Sequence, residues 1–189
     1  MAAHIPGSVL RPIVPILVSA EGRTMETYAL LDTGANCDAI VPFLVKKLGI
    51  RVKTEPRNLV SFGSRKVTLT PCDLADFEVT SLDSKVGVSV RNALVNEILT
   101  TSRDRPPSNE DVEGLENMEG VVTFHELESD LIGVILSVKH ARTWSGGEVI
   151  EGKPNEVMAM KTDFGWTLMG SVASGESDGA IFNGFVVEG

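Results

Sequence analysis

Two apolar runs of strand composition, residues 13–19 (IVPILVS) and 25–31 (METYALL), are separated only by Ala20-Glu21-Gly22-Arg23, and the second runs straight into Asp32-Thr33-Gly34. Such runs joined by a short glycine-containing link predict a hairpin whose turn uses the positive φ open to glycine. A hairpin this apolar can be stable only against more sheet. The chain supplies it: residues 67–70, 77–80 and 86–90 are further strand-like runs, set apart by polar or turn-forming residues. Residues 58–70 (NLVSFGSRKVTLT) read as a second hairpin with Phe62-Gly63-Ser64 at its tip. Pro12 and Pro15 predict that the first strand lies at an edge, since proline cannot donate to a central ladder. One short helix stands out from residue 42 to 48: Pro42 suits a first helical position, Leu44 and Leu48 share a face, and Gly49 suits the C′ position. Strands at this spacing predict a sandwich or barrel-like sheet fold.

The second half reads differently. Residues 100–120 (TTSRDRPPSNEDVEGLENMEG) combine paired prolines, several glutamates and few large apolar residues, the composition of a solvated acidic loop. Residues 171–189 form a Gly/Ser-rich tail that ends in an apolar run suited to a docked strand.

Composition narrows the function classes. With 17 Lys+Arg against 26 Asp+Glu the net charge is -9, so the chain has no basic face for nucleic acid and is repelled by anionic membranes. Hydrophobic residues at 42% and charged residues at 23% are those of a globular chain. Cys37 and Cys72 cannot make a disulfide framework, and neither they nor His4, His125 and His140 show metal-ligand spacing, so no metal and no cofactor is expected. The start, MAAHIPGSVLRP, has no apolar signal-peptide core, and no stretch reaches membrane-spanning length. A cytoplasmic protein of a reducing compartment is the expectation. Cys37, with no nearby basic residue in sequence, reads as an inert thiol; His125 and His140 read as surface or half-buried histidines.

The sharpest chemical feature is Asp32-Thr33-Gly34. An acid placed where an apolar strand ends is partly desolvated, and a following glycine lets the backbone turn tightly so that N–H groups reach the carboxylate. Activating a water with carboxyl groups demands two of them sharing one proton. The chain holds one such triplet, so a working pair requires two chains, each giving Asp32 across a two-fold axis.

At these residues the chain resembles the retropepsin-like aspartic peptidase domain of Pao/BEL-type LTR retrotransposons. VLRPIVPILVSAEGRTMETYALLDTGAN is similar to that family's opening strands and active-site turn, and IVPFLVKKLGI to the apolar helix that follows. Glu113-Gly114-Leu115 resembles a short motif before the second half. Leu131-Ile132-Gly133 resembles the apolar-apolar-Gly element that packs against the catalytic loop, and residues 162–170 (TDFGWTLMG) resemble the closing T-x-F-G-W-x-L-x-G signature. The resemblance spans residues 9–170, with residues 100–129 as an acidic insertion. It implies an all-β, closed barrel-like, single-lobe retropepsin fold with one short helix. It implies a homodimeric hydrolase, an aspartic-type endopeptidase that cuts an element's own polyprotein without a cofactor. Asp32 would be catalytic, Thr33 would brace the active-site loops across the dimer, and Gly34 would let the loop turn. Phe62, Gly63 and Ser64 would form the flap tip over an extended polypeptide substrate. The alternative is a retained fold that dimerises or grips peptides without cutting them. Phe164, Gly165, Trp166 and the 131–133 element are expected to be structural.

Overall fold

The computed structural model describes residues 9–61, 68–97, 99–100, 104–153, 156–171 and 185–188. After a two-residue strand β1 (Val9–Leu10), the first hairpin forms from β2 (Ile13–Ala20) and β3 (Arg23–Asp32), in register from Ile13 opposite Leu30 to Ala20 opposite Arg23. Its turn carries positive φ at both central residues, Glu21 (49°) and Gly22 (75°), the geometry that matches the twist of paired strands. β4 (Ala39–Ile40) leads into α1 (Pro42–Leu48), which has the predicted bounds. Gly49 closes the helix at φ 72°, its N–H bonded back to carbonyls of the last turn. With so short a helix, propensity contributes little. Complete burial of Leu44 and Leu48 holds it, each worth about 1.5–3 kcal/mol.

The second hairpin pairs β5 (Lys53–Ser61) with β6 (Thr68–Thr80), from Lys53 opposite Leu74 to Leu59 opposite Thr68. The two runs predicted at 67–70 and 77–80 are thus one long strand. The expected tip, Phe62-Gly63-Ser64, lies outside the described residues. β7 (Gly87–Val95) returns along β6, and β8 (Ile132–Ser137) runs parallel to β3. The order β6-β2-β3-β8-β4-β7, with β7 returning to β6, closes a barrel of six strands. β9 (Val149–Ile150), β10 (Met158–Thr162), β11 (Gly165–Ser171) and β1 form a separate small sheet, and β12 (Phe185–Glu188) adds to the outer side of β5. The protein is an all-β, barrel-like single lobe with one short α-helix.

Two expectations change here. β2 is not an edge strand: it lies between β3 and β6. Proline is tolerated because β6 pairs only with Leu17–Ser19, leaving the Pro15 half of the strand paired on the β3 side alone. Nor is the acidic segment a free loop. Its glutamates at 110, 113, 116 and 119 are exposed, but Val112, Met118 and Val122 are buried with Leu10, Val157, Ala159 and Leu168 against the small sheet. Arg105 forks onto Asp111 (2.7 Å from Nη1), Asp111 closes a capping box with Ser108, and Tyr28 Oη accepts the Leu127 N–H at 2.8 Å. Burial raises the Asp111 pKa, but the Arg105 guanidinium and the Ser108 hydrogen bonds together outweigh it, leaving the carboxyl below its usual range. Few large apolar residues suffice because each one is spent on the same small core.

β8 passes close to both α1 and β3 at Gly133. A Cβ there would stand 2.5 Å from Leu44 Cδ1 and 2.7 Å from Thr27 Oγ1, and both neighbours are buried. Thr27 Oγ1 is itself committed to the Leu131 carbonyl at 2.8 Å. Gly133→Ala is therefore expected to cost about 1–3 kcal/mol of stability, read as a lowered midpoint in urea.

Candidate active site

β3 delivers Asp32 to the end of the barrel. Tyr28 to Leu31 are buried between β2 and β8, and the ladder ends where the apolar residues do. The Asp32 side chain is 14% exposed. The Gly34 N–H donates to its Oδ1 at 2.8 Å, and the Ala35 N–H donates to the Asp32 carbonyl at 3.3 Å. A Cβ on Gly34 would lie 3.2 Å from that same carboxylate oxygen, closer than a side chain ordinarily sits, so the small residue preserves the turn. Thr33 and Gly34 are exposed, flanking Asp32 on the surface.

The chain beyond the triplet is pinned from behind. The Val138 N–H donates to the Ala35 carbonyl at 3.1 Å. Asp38, 3% exposed, accepts the Ser137 N–H at 2.8 Å on Oδ1 and meets His140 Nε2 at 3.1 Å on Oδ2. Burial raises the Asp38 pKa, but the His140 and Ser137 hydrogen bonds outweigh it and hold the carboxyl below its ordinary range. The segments that back the Asp32 loop are therefore the end of β8 and the 3-10 turn at Val138–Thr143. This differs from the expected element at 131–133. In the parallel register Ile132 lies opposite Tyr28, whereas Ser137 lies opposite Asp32. Gly133 packs at the other end of the strand, on α1. Among the described residues Ser137 Oγ is the buried side-chain polar atom with no hydrogen-bond partner.

Arg11 was not singled out by sequence, and the fold brings it to the site. Its Nη2 is 3.7 Å from Asp32 Oδ2, and its Nη1 is 3.3 Å from Asp104 Oδ2 at the start of the acidic insertion. Within this chain the arrangement is carboxylate–guanidinium–carboxylate, not a carboxyl pair. Neither a family model, nor a curated protein, nor a solved structure matches this chain.

Cys37 is half-buried beside the loop, and burial pushes its thiol up, as for an unreactive cysteine. His125 is exposed and remote; His140, read from sequence as incidental, is the partner of Asp38. Phe164 is buried in the main core, and Trp166 covers part of the small sheet with Lys161 Nζ 5.6 Å from its ring, so both aromatics are structural as expected. Among the described residues no three His, Cys, Asp or Glu side chains converge on a metal position, and no helix is long and apolar enough to cross a membrane.

Proposed function

We propose that the chain is one half of a homodimeric aspartic endopeptidase of retropepsin type, acting in the cytoplasm on the polyprotein of a retrotransposon-like element. The observation that carries this reading is the Asp32-Thr33-Gly34 turn. An acid sits at the mouth of a closed barrel, its carboxylate oriented by the Gly34 N–H and its loop pinned from below through Asp38. In the dimer the two Asp32 carboxyls meet across the two-fold axis and share one proton. The ionised carboxyl takes a proton from a water lying between them, the water oxygen attacks the peptide carbonyl, and the protonated carboxyl donates to the developing oxyanion. Collapse of the tetrahedral adduct breaks the C–N bond as the carboxyl that took the water's proton gives it to the leaving nitrogen. The other carboxyl recovers a proton from the adduct's hydroxyl, which restores the shared-proton pair. Thr33 braces one loop against the other, and the β5–β6 hairpin lies over the substrate, whose backbone adds as an extended strand. Arg11 swings away from Asp32 as the partner's carboxyl arrives.

The test is the order of the reaction in enzyme. Purified protein is expected to cleave a mixed peptide library with a rate that rises faster than linearly with protein concentration, in step with dimer measured by sedimentation. A folded monomer at every concentration, with no cleavage, would overturn the reading.

Arg11 itself favours a second reading. A guanidinium resting on Asp32 must be displaced before two carboxyls can meet. A protein in which that pairing persists would be a dimerisation or peptide-gripping module that does not cut. Peptide binding without turnover, from a demonstrated dimer, would select it.

A further inference from the structure

The outer edge of β5 is built in two parts. Its inner side is committed to β6 from Lys53 to Leu59. On its outer side, residues 53–57 have no strand partner among the described residues, and this stretch carries the features that stop an edge from recruiting another chain. Lys53, Glu55 and Arg57 alternate along it, ion-paired at 3.2 Å and 2.8 Å, and Pro56 removes a donor. Residues 58–61 (Asn-Leu-Val-Ser) have neither charge nor proline. That is where the chain's own C-terminal strand lies, antiparallel, with Phe185 opposite Ser61, Val186 opposite Val60, Val187 opposite Leu59 and Glu188 opposite Asn58. Among the described residues, the guarded part of the edge is unpaired and the unguarded part is covered.

We infer that residues 58–61 of β5 are a strand-accepting site for an extended, proline-free apolar polypeptide, and that β12 is its tethered, displaceable occupant. β12 is four residues long and among the described residues pairs with β5 alone, so it is held there by one short ladder. Residues 172–184 join it to β11, and a connection of that length keeps a strand at an effective concentration of about millimolar. A peptide of the same pattern competes when it exceeds that concentration or when the tail is removed. Main-chain hydrogen bonds give such a site its affinity, and alternate side chains give its preference.

Amide hydrogen exchange by NMR tests this on three proteins: the full chain, a chain ending at Ser171, and the full chain with Val186→Pro and Val187→Pro. In both altered proteins, alternate amides of residues 58–61, those turned away from β6, are expected to exchange at least about tenfold faster than in the full chain. Amides of β2, β3 and β8 are expected to be unchanged, which shows that the barrel persists. A synthetic peptide IFNGFVVEG at about millimolar concentration is expected to restore protection in the truncated chain and to leave the full chain unaffected. Three results would overturn the inference. The first is equal exchange at 58–61 in all three proteins. The second is loss of protection throughout the barrel in both altered proteins, which would make β12 an integral strand. The third is failure of the peptide to protect the truncated chain. None of these readings involves peptide cleavage, so they stand or fall separately from the peptidase proposal.

Discussion

On the proposed peptidase reading, Asp32→Asn is expected to eliminate peptide cleavage while leaving the fold and the proposed dimer in place. The substitution is nearly isosteric, and the Asn oxygen still accepts the Gly34 N–H, so the turn keeps its 2.8 Å bond. What it removes is the group that, in the proposed mechanism, takes a proton from water and returns one to the peptide. General acid–base catalysis of this kind is worth about 10²–10⁴-fold, and in a symmetric dimer one substitution removes both partners at once. A loss of at least about 10³-fold in kcat/KM is therefore the expected result, with unchanged sedimentation and an unchanged thermal midpoint. Residual cleavage near the wild-type rate would mean that the protein cuts through some other group, or that a contaminant does the cutting. A mixed dimer of one wild-type and one substituted chain is expected to be as inactive as the fully substituted one, because a single carboxyl cannot play both parts.

The second large effect is on stability, and it sits just behind the first. Asp38→Ala removes the acceptor for the Ser137 N–H and the partner of His140 in a place closed to water. A buried donor left unpaired costs about 1–3 kcal/mol, and breaking a buried charged contact costs more, so a loss of about 3 kcal/mol is expected. For a chain of this size that is roughly 6–12 °C in Tm. Asp38→Asn should lose less, because its oxygen can still accept from Ser137. The comparison also has a pH signature. The Asp38 carboxyl is held below its ordinary range in the folded protein, so the unfolded chain binds a proton there first as the pH falls. Its contribution is complete above about pH 4–5, shrinks as the pH drops through the unfolded value near 3.9 toward the lower folded one, and is absent below that. The stability difference between wild type and Asp38→Asn is expected to narrow over that window. A difference constant with pH would show that the charge on Asp38 contributes nothing.

Local signals carried well from sequence to structure. The first hairpin and the helix between Pro42 and Gly49 rest on neighbours in the chain: turn glycines, a proline that pre-sets φ, apolar residues four apart. The failures share one cause, contacts between residues distant in sequence. Pro15 argued for an edge by local chemistry, but how far β6 runs along β2 is decided by the closure of the whole barrel. Val112, Met118 and Val122 sit among glutamates with no periodicity, and only the small sheet beneath them shows that they are core. Asp32 was legible because apolar residues lead to it and glycine follows. Arg11, Asp38 and His140 were not, since no spacing relates them: the His140 contact spans 102 residues. An Asp six residues past Asp32 and followed by Ala-Ile-Val, a charged residue before a buried run, is the one signal that could have marked Asp38.

The parallel pairing of β3 with β8 also sets an order of events during synthesis. Asp38 and the Ser137 amide that fixes it are 99 residues apart. At roughly 5–20 residues per second, the loop bearing Asp32 leaves the ribosome several seconds or more before its support exists. Until then the barrel lacks the strand between β3 and β4, and the carboxylate rides on a bare hairpin. Closing so long a loop adds little to the equilibrium cost but slows folding, as non-local topologies do. A chain of this design secures the Asp32 turn only after β1 to β7 have been made.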